Sequence, residues 1–430
     1  MERFRGRTAV RLGGMVLLAA VPVLAEPGRE PRGSAPHEVE QRHEGASLAT
    51  PEARLPEGVA GARLPLRTVI DHIILPVSIN GSEPLPMILD TGMPMPGLLL
   101  FETDPVKALA LEFGSVEAQV GGAGGRGEHI AARMAGGVRL GIGAVTIDDV
   151  SVIVVPPIRH TSMPHAGVIG AAVFRNFTVR VDYDAGAVVL TRPGHFTPEA
   201  GMTAVPLELR GNVPYIRAAV AMRDGRNVPV NLVLDLGATH AVSLNVGSHQ
   251  DMDLPDGAVA SRIGRGMSGE LTGHVGRVEA FLLGGHRLEN VVATFPGADH
   301  EHPRGMDGRD GNLGMGILNR FNLTIDYAGS MLYLERNGDF SAPFEWDMSG
   351  LTLDFDEAGP TVAAILPGSP AAAAGLKEGD VLIAVDGEPV TSDAGIRLRE
   401  LFRRPGAEVA LEIRRGADAE SVRFRLRRLI

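Results

Sequence analysis

Short apolar runs separated by turns rich in glycine, asparagine and proline fill most of the chain. Runs such as Ile70 to Leu75 and Val150 to Val155 have the length and residue types of β-strands. Amphipathic windows of helical period are scarce before residue 390. One helix is predicted from about Ser392 to Arg403, where Leu398 and Phe402 share a face. The pattern therefore predicts a mostly β protein.

Three landmarks of the first half recur in the second half in nearly the same register. The segment PMILDTG at 86–92 resembles NLVLDLG at 231–237, GVIG at 167–170 resembles GNLG at 311–314, and FTVRVDY at 177–183 resembles FNLTIDY at 321–327. The offset is 145 residues for the first pair and 144 for the other two. The repeat predicts two copies of one β-rich unit, at 68–196 and 203–338.

A third unit is predicted at 343–430. Ser369 followed by Pro370 is a favourable N-cap and first helical residue, and Gly375 is a favourable helix stop. The apolar run Val381 to Val385 then predicts a strand that ends at the turn Asp386-Gly387. Helices and strands together indicate an α+β domain.

The N-terminus has the three parts of a secretory signal peptide. Four arginines within residues 3–11 precede the apolar stretch Leu12 to Leu24, and Val23-Leu24-Ala25 fits the cleavage rule. We therefore expect a signal peptide at 1–25, a disordered linker at 26–67 and a periplasmic or secreted protein without a stable membrane span after cleavage. The alternative is an uncleaved anchor.

Composition excludes several classes of function. The net charge of −11 over 430 residues argues against a nucleic-acid partner, which requires a basic face. The chain has no cysteine, which excludes thiol catalysis and thiolate zinc sites. No metal site or cofactor is predicted, because His300-Glu301-His302 lacks the spacing of a zinc-binding helix and lies in a polar loop.

Asp90 and Asp235 are the candidate catalytic pair. Each follows an apolar strand and precedes a tight turn, with Thr91, Gly92 and Gly237 as the residues that support the turns. Two carboxyls brought together across a pseudo-two-fold axis share one proton, because both cannot ionise cheaply. Such a pair can activate a water without a metal or a covalent intermediate.

These motifs resemble those of the retropepsin-like aspartic proteases, and the layout resembles bacterial exported members with two tandem lobes and a C-terminal PDZ domain. Asp90-Thr91-Gly92 matches the catalytic motif, and Gly167 to Gly170 matches the element that packs behind it. The resemblance implies two β-barrel lobes forming one cleft, an aspartic endopeptidase activity, and peptide or protein substrates. It also implies flaps at Val120 to Gly127 and at Ile263 to Gly273.

The resemblance of 343–430 to bacterial PDZ domains implies a second peptide site. A peptide C-terminus would add as a strand beside the carboxylate-binding loop, against the helix that bears Leu398 and Phe402. The residues of that loop are Gly350, Leu351, Thr352 and Leu353. The alternative is a domain of PDZ shape that binds no ligand.

One departure from the family pattern keeps other functions open. Leu236 stands where the family has a Thr or Ser whose hydroxyl bonds across to the opposite lobe. A non-catalytic exported peptide-binding scaffold is therefore the alternative function. A further alternative pairs Asp90 with its copy in a homodimer, and it predicts that Asp235→Asn is tolerated.

Overall fold

The computed structural model describes residues 9–12, 22–24, 51–121, 130–157, 165–267, 269–297, 308–356, 359–390 and 394–430. Within these residues strands far outnumber helices, as the sequence predicts. No helix in this part of the chain is long and apolar enough to cross a membrane.

In its described residues, the first lobe consists of strands and two short helices. They are β1 (Ala9–Leu12), β2 (Pro22–Leu24), β3 (Ala53–Arg54), β4 (Gly61–Pro65), β5 (Thr68–Val69), β6 (His72–Ile79), β7 (Leu85–Leu89), β8 (Leu98–Phe101), α1 (Asp104–Lys107), β9 (Phe113–Val120), β10 (Ile130–Ile142), β11 (Val145–Val155), β12 (Gly167–Ile169), α2 (Ala171–Phe174), β13 (Thr178–Asp182) and β14 (Ala187–Thr191). Strands β1 and β2 come from the segment expected to be a signal peptide, and β1 pairs with β9.

The second lobe repeats this layout. Its elements are β15 (Thr203–Arg210), β16 (Val213–Ala221), β17 (Asn227–Leu234), β18 (Val242–Leu244), β19 (Val259–Gly266), β20 (Gly269–Arg277), β21 (Ala280–Leu283), β22 (His286–Glu289), β23 (Val292–Pro296), β24 (Gly311–Leu313), α3 (Met315–Leu318), β25 (Phe321–Asp326) and β26 (Met331–Arg336).

The two lobes join through a pair of strands that the repeat relates to each other. Strands β13 and β25 run antiparallel, and Arg180 pairs with Thr324, its own counterpart 144 residues later. Val179 pairs with Ile325, the counterpart of the residue on the other side of Arg180. A two-fold axis that passes between Arg180 and Thr324 would produce this pairing of each residue with the counterpart of its neighbour. The two copies of the sequence repeat are therefore related by a pseudo-two-fold axis in the structure.

Each aspartate of the repeat emerges from the middle of a buried sheet. Strand β7 leads into Asp90 and lies parallel to β12, and β17 leads into Asp235 and lies parallel to β24. The Asp90 N–H donates to the Ile169 carbonyl at 3.0 Å, and the Asp235 N–H donates to the Leu313 carbonyl at 2.9 Å. The glycine-bounded elements of the sequence therefore hold the start of both turns.

Part of the segment expected to be a disordered linker is a strand, which corrects that boundary. Strand β4 pairs antiparallel with β14 along its whole length. Ala62 and Leu64 are buried, and the residues between and beyond them are exposed or half-buried. This alternation is typical of a strand with one face on a core, and the many prolines and glycines nearby obscured it in the sequence.

The C-terminal domain has its own sheet, with the strand order β27-β28-β29-β31-β32 and β30 beside β29. Its elements are β27 (Leu351–Asp356), β28 (Gly359–Ile365), α4 (Pro370–Ala373), β29 (Val381–Val385), β30 (Glu388–Pro389), α5 (Ala394–Leu401), β31 (Glu408–Arg415) and β32 (Asp418–Arg425). Ser369 caps α4 by accepting the Ala372 N–H at 3.2 Å, as its position before Pro370 predicts.

The two lobes and the C-terminal domain have separate hydrophobic cores. One continuous cluster of buried side chains extends through both lobes, from Ala62 to Phe344. The C-terminal domain has a separate core that includes Leu398 and Phe402 of the predicted helix face. The two lobes therefore share one core, whereas the C-terminal domain packs its own.

Candidate functional site

The structure brings Asp90 and Asp235 together within one chain. Gly92 donates its N–H to Asp90 Oδ1 at 2.6 Å, and Gly237 donates its N–H to Asp235 Oδ1 at 2.9 Å. Gly237 also lies directly against the other carboxyl, since a Cβ added there would be 2.7 Å from Asp90 Oδ1 and closer still to Oδ2. The structure therefore places both aspartates and both glycines at one site, where each glycine donates its N–H to the aspartate two residues before it.

Thr91 connects the two turns across the pseudo-two-fold axis. Its hydroxyl donates to the Leu234 carbonyl at 2.5 Å and accepts the Leu236 N–H at 3.0 Å, and both bonds are buried. The Leu236 side chain is fully buried in the shared core and offers no reciprocal hydroxyl. The lobes are thus bridged by one threonine that binds two backbone groups.

Asp235 has two polar neighbours that sequence analysis missed. Asn312 donates its side-chain N–H to Asp235 Oδ2 at 3.0 Å, and the buried Arg309 lies close enough to favour the charged form of that carboxylate. In the first lobe the counterpart of Asn312 is Val168, which is apolar. This difference between the two copies, a polar residue in one and an apolar residue in the other, is the sequence signal that could have identified Asn312.

Both carboxyls have raised pKa values. Burial is the main cause for Asp90, the charge of Asp235 adds to it, and together they hold the Asp90 pKa well above its usual range. Burial also raises the pKa of Asp235, but the Gly237 N–H, the Asp90 carboxyl, Arg309 and Asn312 oppose it and leave it at about 7. The two members of the pair therefore differ, and Asp235 ionises first.

Hydrogen bonding supports the same order. Asp90 Oδ2 is buried and has no well-aligned hydrogen-bond donor among the described residues, although the Gly237 N–H and the Asp235 carboxyl both lie close to Asp90. Both oxygens of Asp235 accept an N–H. A proton on Asp90 would donate to Asp235 and leave no polar atom of the pair without a partner. We therefore assign the shared proton to Asp90 and the negative charge to Asp235.

Comparison with protein families matches two parts of the chain. A family model for aspartyl proteases matches residues 219–317, which include Asp235, Gly237 and Asn312. A model for PDZ domains matches residues 361–415. The chain therefore contains an aspartic-protease-like region followed by a PDZ domain.

Individual relatives match over short stretches. A candidate serine protease of Synechocystis sp., HhoA, is 42% identical over 92 residues, which is 21% of this chain and 20% of that protein. The serine protease HTRA1 of Xenopus tropicalis is 38% identical over 67 residues, which is 15% of this chain and 14% of that protein. The chain thus spans a fifth or less of the length of these relatives.

Among solved structures, the aspartic proteinase from Irpex lacteus is similar to part of this chain. It is 12% identical, with a TM-score of 0.43, and the match covers 66% of this chain and 99% of that protein.

The PDZ domain holds the predicted carboxylate-binding loop at the start of β27. The N–H groups of Ser349 and Gly350 donate to Asp347 Oδ1 at 3.0 and 2.8 Å, and the Leu351 N–H donates to Ser349 Oγ at 3.0 Å. Thr352 and Leu353 continue into the strand. The loop amides that a ligand carboxylate would use are therefore bonded to neighbouring side chains of the same chain.

The second predicted flap, Ile263 to Gly273, lies in the hairpin of β19 and β20. Met267 at its tip is 6% exposed and belongs to an apolar cluster with Met93 and Met95 of the first lobe. The tip of this second-lobe hairpin is thus buried in an apolar cluster that also contains the residues following the Asp90 turn. The first predicted flap falls mainly on residues 122–129, and His300-Glu301-His302 falls on 298–307, which lie outside the described residues.

Proposed function

We propose that the chain is an aspartic endopeptidase that hydrolyses peptide bonds with a water activated by Asp90 and Asp235. The observation that carries the proposal is the pairing of two fully buried carboxyls, each held by the N–H of a following glycine, at a pseudo-two-fold axis. Shared protonation of such a pair supplies an acid and a base at the same place. The serine-protease activity in the names of the two relatives does not support a serine mechanism for this chain, because the chain matches only 20% and 14% of their lengths.

The asymmetry of the pair suggests a role for each member. Asp235, ionised, takes a proton from the water whose oxygen attacks the scissile carbonyl carbon, while Asp90 gives its proton to the carbonyl oxygen. The resulting diol collapses when a proton passes to the amide nitrogen, the C–N bond breaks, and the pair again holds one proton. Because Asp235 must be ionised and its pKa is about 7, we expect the best rates near neutral pH.

The PDZ domain supports a second role, the recruitment of substrates or partners through a free C-terminus. A C-terminal peptide would add as a strand to β27, with its last side chain against the apolar face of α5. The basic and then apolar N-terminal segment supports export to the periplasm or beyond the cell.

The test is cleavage of a peptide library by the full chain between pH 4 and pH 8. We expect Asp90→Asn and Asp235→Asn each to lower the cleavage rate by more than about a thousandfold, since each removes one proton-transfer group. Asp104→Asn is the matched control, because its side chain is 98% exposed in α1. Loss of activity in Asp90→Asn alone would refute the intramolecular pair.

A non-catalytic peptide-binding scaffold is the second candidate. Two observations favour it: Leu236 replaces a hydroxyl residue, and both aspartates are completely inaccessible to solvent. If the wild-type chain binds library peptides but cleaves none of them at any pH, the scaffold replaces the protease.

A further inference from the structure

The hairpin of β19 and β20 is bonded to the peptide-binding edge of the PDZ domain. Arg262 of β19 donates from Nη2 to the Leu353 carbonyl and from Nη1 to Asp354 Oδ1, both at 2.6 Å. The Arg262 side chain is 18% exposed and also contacts Glu270 of the same hairpin. One arginine of the second lobe therefore binds both the backbone and a side chain of β27.

The Leu353 carbonyl faces the open edge of the PDZ sheet. Strand β27 is the end strand of that sheet, and its partner among the described residues is β28. Val362 lies opposite Leu353, but its N–H donates to the Asp380 carbonyl at 2.8 Å, away from β27. In an antiparallel pair of this kind the carbonyl of Leu353 points outward, where a strand added to the sheet would bind.

The opposite wall of the expected groove is held from the first lobe. Arg399 of α5, the helix that forms the other wall of the expected groove, donates to Asp71 Oδ2 at 3.1 Å. Contacts from both lobes thus converge on the two walls of the PDZ groove, and the loop amides at its end are bonded to Asp347 and Ser349.

The tip of the same hairpin packs into the first lobe. Arg262 lies midway along the hairpin, and Met267 at its tip is buried in an apolar cluster that includes Met93, three residues beyond Asp90. The hairpin therefore connects the PDZ edge with the apolar cluster next to the Asp90 turn. In this arrangement both aspartates are fully buried, so a substrate can reach them only after the structure opens.

We propose that Arg262 occupies the PDZ ligand edge in the closed protein, and that a C-terminal peptide added to β27 displaces it and frees the hairpin from the cleft. The ligand backbone N–H replaces the guanidinium at the Leu353 carbonyl, and the ligand carboxylate replaces the Asp347 side chain at the loop amides. Peptide binding and the present hairpin position are then mutually exclusive. The activating effect on cleavage rests on the proposed protease function, whereas the competition for β27 does not.

Binding is tested first, in the Asp235→Asn background so that no probe is cleaved. The probes are fluorescent decapeptides that differ in their last three residues and end in a free carboxylate, with the same peptides as C-terminal amides for comparison. We expect Arg262→Ala to tighten binding of the carboxylate probes by about tenfold, because a charge-assisted competitor is lost. Asp354→Asn, which leaves the backbone carbonyl in place, should tighten it less.

Arg287→Ala is the matched control, since Arg287 is an arginine of the same lobe that pairs with Glu279 and Glu289. The control should leave probe affinity unchanged. Equal affinity in Arg262→Ala and the wild type, or no binding of any probe by either, overturns the proposal.

Cleavage is then measured in proteins with Asp235 intact. Saturating carboxylate peptide should raise the rate of the wild-type chain several-fold, and Arg262→Ala should be fast without it. If Arg262→Ala binds probes more tightly but no protein cleaves, the competition stands and the protease function fails. If cleavage occurs but does not change with peptide or with Arg262→Ala, the coupling fails and the protease function stands.

Discussion

Thr91→Val tests the bridge between the two lobes. Valine has nearly the shape of threonine, so the substitution removes the hydroxyl with little change in packing. That hydroxyl is the donor to the Leu234 carbonyl and the acceptor for the Leu236 N–H. Because Leu236 has no hydroxyl of its own, no second side chain at this position can take over either bond.

The expected loss in the free energy of unfolding follows from the two backbone groups that the substitution leaves without a partner, the Leu234 carbonyl and the Leu236 N–H. Thr91 is 1% exposed, and both of its bonds are buried, so water does not replace the hydroxyl. Leaving a buried backbone group without a partner costs about 1–3 kcal/mol. Two such groups give about 2–6 kcal/mol, which is a large part of the roughly 5–15 kcal/mol by which most domains are stable.

Thr324→Val is the matched control. Thr324 is also 1% exposed, but its hydroxyl is buried without a hydrogen-bond partner among the described residues. The same substitution there removes an unpaired polar group and should be neutral or stabilising. The free energy of unfolding is measured by urea denaturation of the full chain with far-UV circular dichroism. If Thr91→Val loses no more than Thr324→Val, the hydroxyl does not bridge the lobes.

Two other predictions concern pH. Asn312→Leu removes the donor to Asp235 Oδ2 and so favours the protonated form of Asp235. The acid limb of the kcat/KM profile should therefore move to higher pH, and kcat/KM at pH 6 should fall about tenfold. An equal loss of kcat/KM at every pH would contradict this role of Asn312. Burial lowers the pKa values of His72 and His240 to about 4, below the unfolded value of 6.5. Each histidine therefore makes its full contribution to the free energy of unfolding above pH 6.5. That free energy falls by up to about 1.4 kcal/mol per pH unit for each histidine as the pH drops toward 4. The difference between the urea midpoints at pH 7 and pH 5 should become smaller in His72→Gln, where His240 still contributes, and should stay unchanged in the exposed control His195→Gln.

The internal repeat made the centre of the site predictable. Sequence comparison of the two halves placed Asp90 and Asp235 at equivalent turns, and equivalent positions must meet wherever the copies pair around an axis. The pairing of Arg180 with Thr324 provides that axis. The fold class and the C-terminal domain followed from local signals, such as the N-cap at Ser369, that depend on nearby residues alone.

The features that the sequence did not predict depend on contacts between residues far apart in the chain. Asn312 looked like an ordinary member of a glycine-bounded element, and only the fold shows that its side chain reaches Asp235. Arg262 directly precedes the predicted flap and carries no signal of its own, because its partners Leu353 and Asp354 lie about 90 residues away in another domain. The short alternation at Ala62 and Leu64 was hidden because two apolar positions are too few to establish a period.

Leu236 departs from the family pattern, and the structure gives a physical reason why one copy can lack the hydroxyl. In a symmetric dimer of single lobes, each copy must contain every feature of the site, because both copies have one sequence. A tandem chain is free of this constraint, so Thr91 of the first lobe can bridge the two turns while the second lobe takes on other roles. Asn312 stabilises charge on one aspartate, and the hairpin with Arg262 extends to the PDZ edge. The departures from symmetry therefore fall at the residues to which the proposed function assigns different roles in the two halves.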